Sequence, residues 1–388
     1  MIVLVTLVIT VAALTAFLDK ASTDLIVAAR DADARRLRLE AYSALEVTLS
    51  VLSTFNQTVG SLHSPAEGWG DPLTFANYTP TEGRTVEVSF EDESGRISLP
   101  NVDATTLAAV FDLWGISTTD AQRLTDALLG WIKPNYTPNG SFIPDYDQAA
   151  IPYGPPGRSL RSYDELAAID VAREIFYGED GRPNELWHRF ADTFSLLDYR
   201  QPNLNSARPD VLAALGGLDA VGQQSLEDYT NGTGAYEAKG PEYFRSVDDA
   251  AAIVSAANPA AFTTHISALR IHITVHDGRA VYRLGAVVTI PGQQAAQTVE
   301  ASATGGTSGA SATTNSSSAA NTSPTSTGTA SRSGSAGGRA GGRAGGSATA
   351  GVSAGSTGAA SLNYPFTVLE INENNDPVPV APPPPPSE

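Results

Sequence analysis

The chain has 388 residues, with 42 acidic against 24 basic side chains, a formal net charge of -18, and no cysteine. That charge repels nucleic acid and anionic lipid headgroups over most of the surface, and the lack of cysteine excludes disulfides, thiolate metal sites and a cysteine nucleophile. The length allows two or three domains, but glycine and proline are enriched after residue 290, so the folded part is expected in the residues before that point plus a short return near the C-terminus.

Residues 1–18 read MIVLVTLVITVAALTAFL, an apolar run interrupted only by threonines, with Asp19 the first ionisable side chain. Such a run is at the short end of a membrane span, which needs about 20 residues at 1.5 Å rise each. No basic segment precedes it and no small-x-small cleavage site with a turn follows it, so it reads as a retained anchor rather than a signal peptide. Residues 24–55 contain neither proline nor glycine, and Tyr42, Leu45, Leu49 and Leu52 recur at three- and four-residue steps, which puts them on one helical face. One helix from residue 2 to 55, roughly 80 Å long, is expected. Its seam serves either to cover the chain's own domain or to pack laterally against neighbouring helices, and those four residues are the candidate assembly interface. Lys20, Arg30, Arg35, Arg36 and Arg38 follow the span; the positive-inside rule alone would put the bulk of the chain in the cytoplasm, and a basic leader ahead of the span would reverse that.

Residues 60–83 are turn-rich (SPAEGWGDP, NYTPTEGR). TVEVSFEDESGRISL then alternates around Val86, Val88 and Phe90 before Ser94-Gly95, the pattern of a hairpin. TTLAAVFDLWGI and TTDAQRLTDALLGWI carry helical periodicity, with Ser117, Thr118 and Thr119 as candidate N-caps between them. After a loop over residues 134–160, SYDELAAIDVAREIFYG starts a helix, with Ser162 and Glu165 in capping-box spacing. Further helices are expected at 186–197 and 209–215. In residues 265–290 the period changes to two, and the spacing predicts two strands joined around Asp277-Gly278. From about 293 to 362 the composition falls to Gly, Ser, Ala and Thr, too little apolar surface to offset the entropy of ordering. A last strand is expected at 364–371, before a proline-rich tail. A strand beyond such a tract makes the tract an insertion within a sheet.

Several segments, in this order, resemble a known family. EDESGRISLPNV (91–102) is similar to its strand-turn segment, and TDALLGWIKPN (125–135) to a helix ending in Trp-Ile before a polar loop, here with Lys133 where an aspartate is usual. PYGPPGRSLRSYDELAAI (152–169), LNSARPDVLAALGGLDA (204–220, with Ser206 for the usual threonine), FRSVDDAAAIV (244–254) and the strand pair at 266–290 follow. Together they resemble the type II secretion minor pseudopilins of the K type (general secretion pathway protein K, GspK). The resemblance covers most of residues 1–290 and 363–371. It departs in lacking a leader and in carrying the glycine-serine tract.

The fold this resemblance implies is α+β: a long N-terminal membrane-anchoring helix packed on a small antiparallel pilin-type sheet, with a large inserted helical domain containing helix-hairpin-helix-like units. The boundaries become 1–58 for the anchor and long helix, 59–101 for the first part of the pilin-type domain, 102–262 for the inserted helical domain, 263–292 for pilin-type strands, 293–362 for the disordered insertion, 363–372 for the last strand and 373–388 for the tail. The implied role is structural and not enzymatic: a subunit at the tip of a pseudopilus supporting export across the outer membrane. Its implied partners are the other minor pseudopilins and the major one, with residues 1–18 in the bacterial inner membrane as a single pass and the folded domain in the periplasm. Other pseudopilins carry a glutamate near the mature N-terminus; this chain, like the K type, has no acid in its first 18 positions.

Other constellations weigh less. ALGGLDAVGQQSL and LWGISTTDAQRL have the helix, glycine turn, helix form whose backbone amides hold a DNA phosphate, giving the alternative of a membrane-tethered helix-hairpin-helix DNA-binding protein. Between residues 203 and 228, however, Arg208 stands alone against Asp210, Asp219, Glu227 and Asp228, so phosphate is repelled and no nucleic-acid partner is expected. His272 and His276 alternate with Ile271, Ile273 and Val275, so they lie on a strand about 13 Å apart, beyond the reach of one tetrahedral ion, and solvent-facing positions are expected for them. Gly351, Ser353 and Gly355 match G-x-S-x-G by letter inside the low-complexity tract, without the strand and helix that motif needs. Asp145 and Asp147, with Glu91, Asp92 and Glu93 elsewhere, offer hard oxygen ligands of the kind calcium uses; the first two are the candidate calcium site, the only cofactor considered, though without EF-hand spacing. No nucleophile-base-orienter set is visible in the sequence, and no small-molecule substrate is expected.

Overall fold

The computed structural model describes residues 1–81, 83–139, 146, 153–254, 258–291 and 366–374, without the side chains of residues 4, 5, 8 and 259. The expected insertion at 293–362 and the proline-rich tail beyond residue 374 lie outside the described residues. The chain divides into two units, Met1–Ala301 with Asn363–Glu388, and Ser302–Leu362; only the first contains described residues.

The first unit is α+β. Helix α1, Ile2–Val59, runs 58 residues without proline or glycine, about 87 Å at 1.5 Å per residue. It stops where Gly60 takes a left-handed conformation (φ 89°) and returns its N–H to the Asn56 carbonyl, a C-cap that glycine adopts without a Cβ penalty. A short α2, Pro72–Phe75, is capped by Asp71 accepting from the Thr74 N–H.

Strand β1, Arg84–Asp92, leads into a 3-10 turn at Glu93–Gly95 and a two-residue β2, Ile97–Ser98. The hairpin expected at Ser94-Gly95 is absent: β2 does not fold back on β1. Its parallel partner is β3, Phe194–Ser195, while β1 pairs antiparallel with β4, Ala268–Asp277, Val88 facing Ile273. The alternation was real, but its partner lies about 180 residues away, beyond local pattern.

Between β2 and β4 come α3 (Ala104–Leu113), α4 (Thr118–Ile132), α5 (Asp170–Phe176), α6 (Glu185–Thr193), α7 (Pro209–Gly216), α8 (Ala220–Asn231) and α9 (Val247–Ala251). Asp103, Ser117, Asn184, Asp219 and Ser246 cap helices with side-chain acceptors, satisfying amides that lack an intrahelical partner. The single helix expected from Ser162 is two pieces, because the segment Ser162 caps is a 3-10 turn, Tyr163–Ala168, and extended Ile169 separates it from α5. The helix expected to reach residue 197 ends at Thr193, where β3 begins.

Strand β4 turns through Gly278 (φ 58°) into β5, Ala280–Thr289, and β6, Thr367–Glu373, completes an antiparallel sheet in the order β1-β4-β5-β6. Period-two alternation sorts the two faces. Leu269, Ile271, Ile273, Val275, Tyr282, Leu284, Ala286 and Val288 pack with Leu37, Ala41, Ala44, Leu45, Leu49 and Leu52 of α1 in one core. Residues 97–262 build a second core around Phe111, Leu124, Leu128, Phe176, Phe190 and Phe194. On the opposite face of the sheet from α1, Ala268 and Val287 meet Leu197 and Tyr199.

Candidate functional site

Two features carry more than local packing: the length of α1 that its own sheet does not cover, and a buried polar junction where β1 meets the residues that follow β3.

The candidate assembly residues fall on the covered part of α1. Leu45, Leu49 and Leu52 are 5%, 3% and 0% exposed inside the sheet core, and Tyr42 is partly buried against it. A side chain enclosed by its own sheet has no surface left for a neighbour, so this seam serves the chain itself. The apolar side chains open to solvent lie earlier: Ile9, Leu14, Phe17, Leu25 and Ile26 are more than half exposed. Among the described residues, no helix is long and apolar enough to cross a membrane. The run 1–18 includes the three α1 positions whose side chains are not described.

Where α1 meets the sheet, polar side chains fix its position. Arg38 donates from Nε and a terminal nitrogen to the Glu373 carboxylate on β6 (2.9 and 2.7 Å), and Tyr42 Oη donates to the same oxygen at 2.7 Å. Glu40, 7% exposed, accepts from Tyr78 Oη, from the Thr81 amide and hydroxyl, and from Arg84. Burial works to raise its pKa, yet these donors outweigh it and hold the carboxyl below its ordinary value.

The junction is built on Glu91, Asp92 and Glu93. Asp92 is partly buried; it accepts from the Ser94 amide (2.8 Å) and hydroxyl, from Asn203 Nδ2 (2.7 Å) and from the Ser206 hydroxyl. Burial pushes its pKa up, against the pull of those donors. For Glu93 burial acts in the same sense but loses to Arg96 and Arg270, which hold it down; Arg270 Nε lies 2.7 Å away. Glu91 is lowered to about 2, first by its pairing with His272 and, against burial, by the charges of Arg96, Arg208 and Arg270. Tyr199 Oη sits 2.9 and 2.8 Å from the Glu93 and Arg96 carbonyls and donates its one proton between them. The Ser94 carbonyl accepts from the Asn203 N–H and the Gly95 carbonyl from the Arg208 N–H. A Cβ on Gly95 would come 2.2 Å from the Ser206 carbonyl, so only glycine permits this approach. The arrangement joins the end of β1 to residues 199–208.

His272 is corrected by this geometry. It is 8% exposed, on the sheet face opposite α1, with Nε2 3.6 Å from the Glu91 carboxylate, rather than solvent-facing. His276 is partly exposed. Asp210 accepts from Trp114 Nε1 and from Arg189 at 2.7 and 2.8 Å, and so braces α3, α6 and α7. Asp145 and Asp147 lie outside the described residues. Among the described residues, no group of three or more His, Asp or Glu side chains is placed to hold a metal ion. Sequence reading missed the junction; the only signal was three consecutive acids running into Ser94-Gly95-Arg96 at a strand end, an unusual density of charge beside buried positions.

No protein-family model matches the sequence, and no curated protein matches it. Among solved structures, the chain is similar to one from the crystal structure of the GspK-GspI-GspJ complex of the type 2 secretion system of enterotoxigenic Escherichia coli. The likeness has a TM-score of 0.48 at 14% sequence identity and covers 69% of this chain and 95% of that one.

Proposed function

We propose that this chain is a pilin-type assembly subunit, a structural protein that joins a fibre through its N-terminal helix. More narrowly, its reading is a K-type minor pseudopilin at the tip of a type II secretion pseudopilus. The observation that carries this is the division of α1: one stripe of it, from Leu37 through Ala41, Leu45 and Leu49 to Leu52, is buried under the chain's own antiparallel sheet, while earlier apolar side chains from Ile9 to Ile26 are exposed. Exposed apolar surface of that extent marks a membrane or protein contact. The order of sequence segments supports the narrower reading.

The first 18 residues serve as the inner-membrane anchor, with the folded unit in the periplasm and the other pseudopilins as partners. The helices between β2 and β4 add bulk that would obstruct a subunit stacked above.

Because the chain lacks cysteine, single cysteines report without background. With Leu14→Cys in cells that assemble the whole secretion system, a thiol cross-linker should give discrete adducts with other minor pseudopilins, whereas Leu52→Cys should give none. Monomer alone from Leu14→Cys would overturn the assembly reading. Immunogold labelling spaced regularly along the shaft would overturn the tip position while leaving the pilin-type role intact.

A further inference from the structure

The loop that follows α1 places a hydroxyl, an imidazole and a carboxylate in hydrogen-bond order. His63 Nδ1 lies 2.5 Å from Glu67 Oε1, with side chains 9% and 3% exposed, and His63 Nε2 lies 3.3 Å from Ser61 Oγ. The other Glu67 oxygen accepts from Trp69 Nε1 at 2.8 Å, and Trp69 is itself fully buried, edge-on to Phe90. A carboxylate can only accept, so Nδ1 carries a proton, and in the neutral form of the ring Nε2 is the acceptor. In that tautomer Ser61 Oγ–H donates to Nε2.

The backbone is pinned around the histidine. Leu62 O accepts from the Ile266 N–H at 2.7 Å, and His63 O accepts from Asn203 Nδ2 at 3.1 Å. Tyr243 covers the imidazole with ring centroids 5.7 Å apart. Glu67 holds Nδ1 and Tyr243 packs the ring, while Nε2 takes the hydroxyl of Ser61, a residue that is only half-buried.

We propose that Ser61 is a histidine-activated nucleophile, a covalent modification site for small activated acyl esters and phosphonyl halides, with His63 as general base and Glu67 orienting it. Three roles stand in hydrogen-bond order, a hydroxyl, an imidazole nitrogen and a carboxylate on the far nitrogen, as nucleophilic activation needs. In the acyl case Ser61 Oγ forms a bond to the ester carbonyl carbon while its proton passes to His63 Nε2. The ester C–O bond then breaks, and the departing alkoxide takes that proton, leaving an acyl-serine, a free alcohol and neutral imidazole. With a phosphonyl fluoride the P–F bond breaks instead, fluoride leaves and the proton stays on the imidazole. The proposal is independent of the assembly role.

The test uses the full chain in detergent with a fluorophosphonate probe, read by intact mass and peptide mapping. The expected result is one adduct, on Ser61, forming at least about tenfold faster than on the heat-unfolded chain, since a positioned general base contributes factors of that order or more. Ser61→Ala should lose the adduct with its melting curve unchanged. Glu67→Gln keeps an acceptor on Nδ1 but removes the charge that stabilises an imidazolium. It should lower the maximal labelling rate by about tenfold while leaving the probe concentration at half-maximal rate alone, a split that a merely structural role would not produce. Adducts spread over many hydroxyls at a rate indifferent to unfolding, or a Ser61→Ala chain that labels as well as wild type, would overturn it. The wild-type and Ser61→Ala pair decides the matter even if Glu67→Gln unfolds.

Discussion

The two halves of α1 are one continuous helix with apolar side chains throughout, yet they do different physical work. From Leu37 to Leu52, buried residues recur along one stripe and meet the odd-numbered face of β4. Before Leu37, apolar residues such as Leu14, Phe17 and Leu25 have no covering element among the described residues. Apolar surface stabilises only what it is buried against. The second half thus helps hold the folded unit together, and the first half is the part proposed to contact a membrane or partner.

The sharpest way to break that comparison is a matched pair of truncations. Leu52→Ala opens a cavity in a closed core and should cost about 2–5 kcal/mol in urea unfolding followed in detergent. Leu14→Ala should change unfolding by no more than about 0.5 kcal/mol and instead weaken association with the partner. Equal unfolding effects would mean that the first half also packs within the chain.

Next in size is the polar junction. Asp92→Ala would strand the Ser94, Asn203 and Ser206 donors in a dry interior at a cost of about 3 kcal/mol. It should also expose residues 199–208 to limited proteolysis before β4 and β5, if this junction is what ties the two cores.

Acid should act at the same place. Glu91, held at about 2 against an ordinary 4.5, and Glu93, also held down, have folded-state pKa values below their unfolded ones. They contribute stability that is present above about pH 4.5 and lost as pH falls through that value toward 2. Asp92, pushed up by burial, works in the opposite sense, favouring the fold as it gains a proton. Loss of the Glu91 and Glu93 contributions is expected to outweigh the gain from Asp92, so stability should fall in acid. Chemical unfolding midpoints measured from pH 6 to pH 2 would check this, and Glu91→Gln should flatten the curve.

The smallest effect belongs to the clamp on β6. Glu373→Gln loosens the Arg38 and Tyr42 contacts at an exposed site, so global stability should hold while amide exchange in β6 quickens. Unchanged exchange there would assign β6's attachment to its ladder with β5 alone.

How much of this was legible depended on the range of the interaction. The N-caps Ser117 and Ser162, the glycine turn at Gly278 and the alternation in β4 and β5 are set by neighbours a few residues away, so sequence reading finds them. It erred on the β1 hairpin and on the exposure of His272, because alternation says that a strand has two faces without saying what covers each. The Ser61, His63 and Glu67 set passed unnoticed although its members are close in sequence, since only the folded loop turns their polar atoms toward one another.

By itself, the sequence determined that a long proline- and glycine-free helix would come first, that its apolar positions would repeat at helical spacing, and that strands would close around a glycine turn. Those follow from backbone sterics and side-chain period, which each segment carries alone. Only the tertiary structure decided which part of that helix is covered. It also decided that β1 pairs with β4 across the intervening helices, and that three consecutive acids are buried among arginines and serines instead of facing water. A side chain's environment is set by whatever long-range contacts surround it, and the charges of Glu91, Asp92 and Glu93 could be buried only because Arg96, Arg270, Asn203 and Ser206 arrive to neutralise or hydrogen-bond them.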